Sequence, residues 1–180
     1  MFRIITFIGI LFLLYSCIPL RIAPSIDDYK TTKGKKFKRG LPKREMFIFE
    51  DPKNANQFYD YINIKFGLDD TNVYDDVPFK IAGQQYFFSF YEVEIPTKTI
   101  NLIPVVIDGL LDSADIDPVL EDAYASRIGN WYIAIEVYAD FEQDCLQEDS
   151  LSREAVLKYL RTIKQEYLST YNYNEVVFKN

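Results

Sequence analysis

Three sets of side chains in this sequence have the types and spacing that chemistry asks for. Glu92 and Glu94 stand two residues apart in a strand-like run. Their carboxylates would leave one face about 7 Å apart, within reach of the acid pair of a glycoside hydrolase. Asp112, Asp115, Asp117 and Glu121 gather oxygen ligands in one loop but lack the Gly and the alternating Asp of a calcium-binding hand. Cys145 offers a thiol, which becomes a nucleophile only beside a base. The chain has no histidine. That removes the commonest general base, the commonest zinc ligand and every Ser-His or Cys-His pair. No phosphate-cradling glycine loop and no nucleophile elbow occurs. Each candidate has a plainer reading: a solvated strand end, helix capping, and a small buried residue near a helix start. The expectation is no enzyme, no metal and no cofactor, with a carboxylate-dependent hydrolase as the alternative.

The N-terminus carries a sharper pattern. Met1-Phe2-Arg3 is a short basic head, and Ile4 to Leu14 is an apolar run too short to span a bilayer. Leu14-Tyr15-Ser16-Cys17 follows. This arrangement resembles the signal peptide and lipobox of bacterial lipoproteins, with Tyr15 departing from the small or β-branched residue usual at that place. The resemblance implies cleavage between Ser16 and Cys17, lipid on Cys17, and attachment to a membrane of the cell envelope. Ile18 follows Cys17 where inner-membrane retention would favour Asp, which points to the outer membrane. Acylated Cys17 could form no disulfide, leaving Cys145 as a lone thiol.

Charge divides the rest. Residues 18–44 hold nine Lys or Arg against Asp27 and Asp28, a net +7, whereas residues 45–180 hold ten basic and 25 acidic side chains, a net −15. An acidic domain of this kind is a poor partner for nucleic acid. Pro19, Pro24, Gly34, Gly40 and Pro42 interrupt the basic segment, which shows no helical or strand period and reads as a flexible tether. Lys33, Lys35, Lys36, Lys38 and Arg39 are the candidates for contact with anionic headgroups, against the plainer reading of a solvated charge run.

The elements that must position these groups begin at Glu45. Met46 to Phe49 suits a buried strand, Asp51-Pro52 a helix start, and Phe58, Tyr61, Ile62 and Phe66 one helical face ending at Gly67. Val77 to Ala82 and Gln84 to Ile95 read as a hairpin turning at Gly83. Leu102, Val105, Val106 and Leu110 suggest a short helix, with a strand over Pro104-Val105-Val106-Ile107 as the alternative. Trp131, Ile133, Ile135 and Val137 alternate toward a core with Tyr132, Ala134, Glu136 and Tyr138 opposite. Val156, Leu160, Ile163, Tyr167 and Tyr171 mark a long helix over Ser150 to Tyr171, and Glu175 to Phe178 an edge strand. Tyr132, Tyr138, Tyr171 and Tyr173 could make an exposed aromatic surface, although packing accounts for them equally.

The expected fold is therefore α+β: a single small domain, mainly an antiparallel sheet of four to five strands packed by two to three helices, after a disordered tether. Its boundaries are a signal peptide at 1–16, a lipidated basic tether at 17–44 and a globular domain at 45–180. The segments Arg21-Ile22-Ala23-Pro24, Phe49-Glu50-Asp51-Pro52, Phe90-Tyr91-Glu92-Val93-Glu94-Ile95-Pro96 and Gly129-Asn130-Trp131-Tyr132-Ile133-Ala134 resemble short lipoproteins of flavobacteria-type bacteria. That resemblance brings no activity with it. The expected partners are the membrane, through lipid on Cys17, and a protein or glycan of the envelope. A lipoprotein immunity or inhibitor protein is a further alternative.

Overall fold

Two long alternating strands form the centre of the structure, a computed structural model that describes residues 18–21, 23–96, 98–100 and 129–173. In chain order the elements are β1 (Ile18–Arg21), β2 (Lys30–Lys33), α1 (Gly34–Phe37), β3 (Glu45–Glu50), α2 (Gln57–Phe66), β4 (Val77–Ile81), β5 (Gln84–Ile95), β6 (Lys98–Ile100), β7 (Asn130–Tyr138) and α3 (Arg153–Ser169). The chain divides into two units, Met1–Pro24 with Pro96–Tyr124, and Ser25–Ile95 with Ala125–Asn180. In the first, β1 and β6 pair antiparallel, Ile18 opposite Ile100, with an irregularity between Pro19 and Arg21. The second is an α+β domain: an open antiparallel sheet of five strands, ordered β2-β3-β7-β5-β4, and three helices.

Alternation sends Phe47 and Phe49 of β3, Phe88 and Phe90 of β5, and Ile133, Ile135 and Val137 of β7 to one face, where α2 and α3 cover them. Phe58 of α2 stands edge-on to Phe90 at 4.8 Å and to Tyr167 of α3 at 4.9 Å, so one ring joins both helices to the sheet. Tyr159 stacks on Phe79 of β4 at 4.5 Å and carries α3 to the far edge. Gly67 ends α2 at a φ of 60°, a conformation that favours glycine. The β4–β5 turn is Ala82-Gly83, both with positive φ.

The opposite face is buried as well. Met46, Ile48, Tyr132 and Ala134 are fully or almost fully covered, so β7 is a central strand with apolar contacts on both sides. The expectation of a one-sided β7 is corrected accordingly. Phe37 of α1 meets Tyr132 edge-on at 5.1 Å, which places the shortest helix over this second face.

Two further readings change. The coil expected from Ile18 to Arg44 is ordered over 25–44: Lys30, Thr31, Thr32 and Lys33 pair in register with Ile48, Phe47, Met46 and Glu45. Charged ends on a four-residue strand hide it from an apolar-period search, and the neighbouring Pro and Gly are turn formers inside a compact loop rather than breaks in a linker. Asp51-Pro52 does not open α2, whose first residue is Gln57. Asp51 instead accepts the backbone N–H of Lys53 at 3.1 Å and the hydroxyl of Tyr167 at 2.9 Å, tying the end of β3 to α3. The helix read over Leu102 to Leu110, the acidic loop from Asp112 to Glu121 and the strand read at Glu175 to Phe178 lie outside the described residues. Among the described residues no helix is long and apolar enough to cross a membrane.

Candidate functional site

The basic residues singled out in the sequence come together at the end of β2 and on its connection to β3. Residues 33–44 contain seven Lys or Arg and no acidic residue. Backbone bonds close this stretch on itself: Gly34 N–H donates to the Arg44 carbonyl at 3.0 Å, Lys35 N–H to that of Pro42 at 3.0 Å, and Lys38 N–H to that of Gly34 at 2.9 Å. Gly34 is required by space, because a Cβ there would sit 2.5 Å from the Pro42 carbonyl oxygen and 2.7 Å from Met46 Sδ. The segment is thus a loop with an anchored base.

Two of its cations are held by the protein. Lys38 Nζ donates to the carbonyl oxygen of Glu94 at 2.8 Å. Arg44 Nη1 lies 3.4 Å from Oε2 of the buried Glu136 and 5.2 Å from the Tyr138 ring centroid. Tyr91 donates its hydroxyl to the other Glu136 oxygen at 2.8 Å. Burial first, and then this bond to Glu136, hold the Tyr91 hydroxyl well above its ordinary range. The remaining five, Lys33, Lys35, Lys36, Arg39 and Lys43, are exposed. Of the cations singled out in the sequence, Lys33, Lys35, Lys36 and Arg39 are therefore together and free of burial, whereas Lys38 is tied back. Lys43, Arg44 and Glu136 were missed. A residue count over 33–44 could have found Lys43; nothing local could have found the Arg44–Glu136 pair, which spans 92 positions.

The other chemically suggestive groups are in structural use. Glu92 and Glu94 pair across to Ile133 and Trp131 on the face of Phe88 and Phe90. Neither lines the cleft of about 290 Å³ bounded by Ile26, Glu50, Asp51, Trp131, Lys164 and Leu168. Three acids of that cleft are engaged: Asp28 by Lys164 at 2.5 Å and Arg161 at 3.0 Å, Glu50 by the Ile26 N–H at 2.7 Å, and Asp51 by the Tyr167 hydroxyl at 2.9 Å. The hydrogen bond from Lys164, above all, holds the Asp28 carboxyl below its ordinary range. Lys53 donates to the carbonyls of Tyr167 and Thr170 at the end of α3, satisfying acceptors that a helix terminus leaves open. Cys145 is buried, and burial, then the charge of Glu142, push its thiol up to about 12. Among the tyrosines considered for a surface, Tyr132 and Tyr173 are buried, Tyr138 is half-buried and donates to Asp76, and Tyr171 is exposed. Among the described residues no group of three or more acidic or thiol side chains is placed to hold a metal. Ser16 and Cys17 lie outside the described residues.

Known protein families, characterised proteins and solved structures offer no match to this chain.

Proposed function

We propose that this chain is a lipid-anchored envelope protein, cut after Ser16, held through lipid on Cys17 in the outer membrane, whose α+β domain is a non-enzymatic binding module. The observation that carries the reading is Leu14-Tyr15-Ser16-Cys17 behind an eleven-residue apolar run, with a cation-rich loop borne by the domain close to it in sequence. Seven residues separate Cys17 from Ser25, and the eight steps between them reach at most about 28 Å even when fully extended. Several acyl chains anchor durably, since each buried methylene contributes about 0.8 kcal/mol.

The binding rather than catalytic reading is supported by how the reactive groups are employed. Asp28, Asp51 and Glu136 are bonded within the domain, Lys53 caps α3, and the Cys145 thiol is protonated at neutral pH. The partner is a protein or glycan of the envelope. Fractionation tests the anchor: after a wash at about 0.5 M NaCl, which screens surface charge, the native chain is expected in the membrane fraction and the Cys17→Ala chain outside it. Pull-down with the native chain tests the module. A stoichiometric partner is the expected result, and turnover of an envelope polymer would overturn it.

A further inference from the structure

We infer that the β2–β3 loop is a preformed platform for anionic lipid headgroups, and that it fixes the orientation of the domain on the membrane. This rests on the reading of the chain as anchored through Cys17, and adds a second contact to the first. The sequence alone gives a flexible charged tether, which would neutralise phosphate without orienting anything. The structure gives a different object.

Lys33, Lys35, Lys36, Arg39 and Lys43 stand exposed on a loop closed by three backbone bonds, with Lys38 and Arg44 bonded back to β5 and β7 as its fixings. Cations presented on a closed loop lose less freedom on meeting a surface than the same cations on a coil. The loop carries no exposed apolar side chain to insert: Leu41 is buried and Phe37 packs on Tyr132. Contact is therefore electrostatic and salt-sensitive. Charge complementarity selects the occupant, because an anionic leaflet attracts each Lys or Arg near it by an amount equal to about a five-fold change in binding. The rest of the domain is acidic, with seven Lys or Arg against 18 Asp or Glu over residues 45–95 and 129–173, and is repelled by the same leaflet. Attraction at one loop and repulsion elsewhere select one orientation.

Amine footprinting by mass spectrometry tests this on the native chain in vesicles of phosphatidylcholine, with and without phosphatidylglycerol. Labelling of Lys33, Lys35, Lys36 and Lys43 is expected to slow about five-fold on the anionic vesicles and to recover at about 0.5 M NaCl, where the screening length is near 4 Å. The exposed Lys80 and Lys158 serve as controls and are expected to label equally on both. Equal labelling of the loop on both vesicle types, or an equal slowing at Lys80 and Lys158, would overturn the platform while leaving the anchor standing. Stronger protection by soluble inorganic polyphosphate than by anionic vesicles at equal phosphate would overturn the membrane as occupant. The mature chain, beginning at residue 17 with Cys17→Ser, separates the two readings. It is expected to sediment with anionic but not neutral vesicles, about 25-fold more weakly when Lys35→Gln and Lys36→Gln are added. Sedimentation unaffected by those two changes would contradict the platform whatever the state of native Cys17.

Discussion

Cys145 and Asp28 show how single side chains are governed by their surroundings. With its thiol held near 12, Cys145 in the folded protein is expected to resist a thiol-disulfide reagent at pH 8 and to react promptly once denatured. Stopped-flow absorbance in the two conditions checks this, and fast labelling of the native state would show the site open. Asp28 has its carboxyl lowered first by the hydrogen bond from Lys164, so its contribution to stability is fully present above the unfolded value of 3.8 and is lost as pH falls through the lower folded value. Asp28→Asn is accordingly expected to flatten the pH dependence of stability below about pH 4 and to leave the slope between pH 6 and 8 unchanged. Denaturant titrations across that range measure it. The burial of Cys145 was legible in the sequence, whereas the behaviour of Asp28 was not, because its partners come from a helix more than 130 residues away.

Elements with an uninterrupted period were the legible ones. The alternation from Asn130 to Tyr138 and the spacing from Val156 to Tyr167 gave β7 and α3 near their observed bounds. The Ala82-Gly83 turn also stood where Gly83 placed it. Ala82 holds a φ of 50°, which costs a residue with a Cβ, so Ala82→Asn is expected to stabilise the domain by about 0.5–1 kcal/mol. Thermal unfolding checks the sign, and a lower midpoint would contradict the turn geometry. The β2–β3 connection was illegible for a physical reason: Lys-Thr-Thr-Lys is a strand only because β3 supplies its hydrogen bonds, and Gly34 looks like a linker residue until Met46 and Pro42 close around it. Gly34→Ala is expected to cost about 1–3 kcal/mol and to release the loop. Hydrogen exchange at the Lys35 and Lys38 amides should accelerate together with that loss. A variant as stable as the native chain, with unchanged exchange, would show the close approach to be slack.

For the molecule as a whole, the sequence conveyed the class of fold and the sign of its charge, and the structure relocated the charge. What read as a basic tether leading to an acidic domain is, over 25–44, a part of that domain, with the buried Glu136 and the half-buried Tyr91 bonded to each other beside Arg44 at the base of the cation-bearing loop. The candidate site could not be assembled from sequence because its fixings are long-range: 92 residues for Arg44 and Glu136, 56 for Lys38 and Glu94. The proposed function places this loop beside a lipid on Cys17, and the orientation of the domain on the membrane is set by the two contacts together. Intact-mass spectrometry of the protein extracted from native membranes addresses it directly. A chain beginning at Cys17 and carrying acyl groups on that residue is the expected result, and a chain beginning at Met1, or one with an unmodified Cys17, would contradict it.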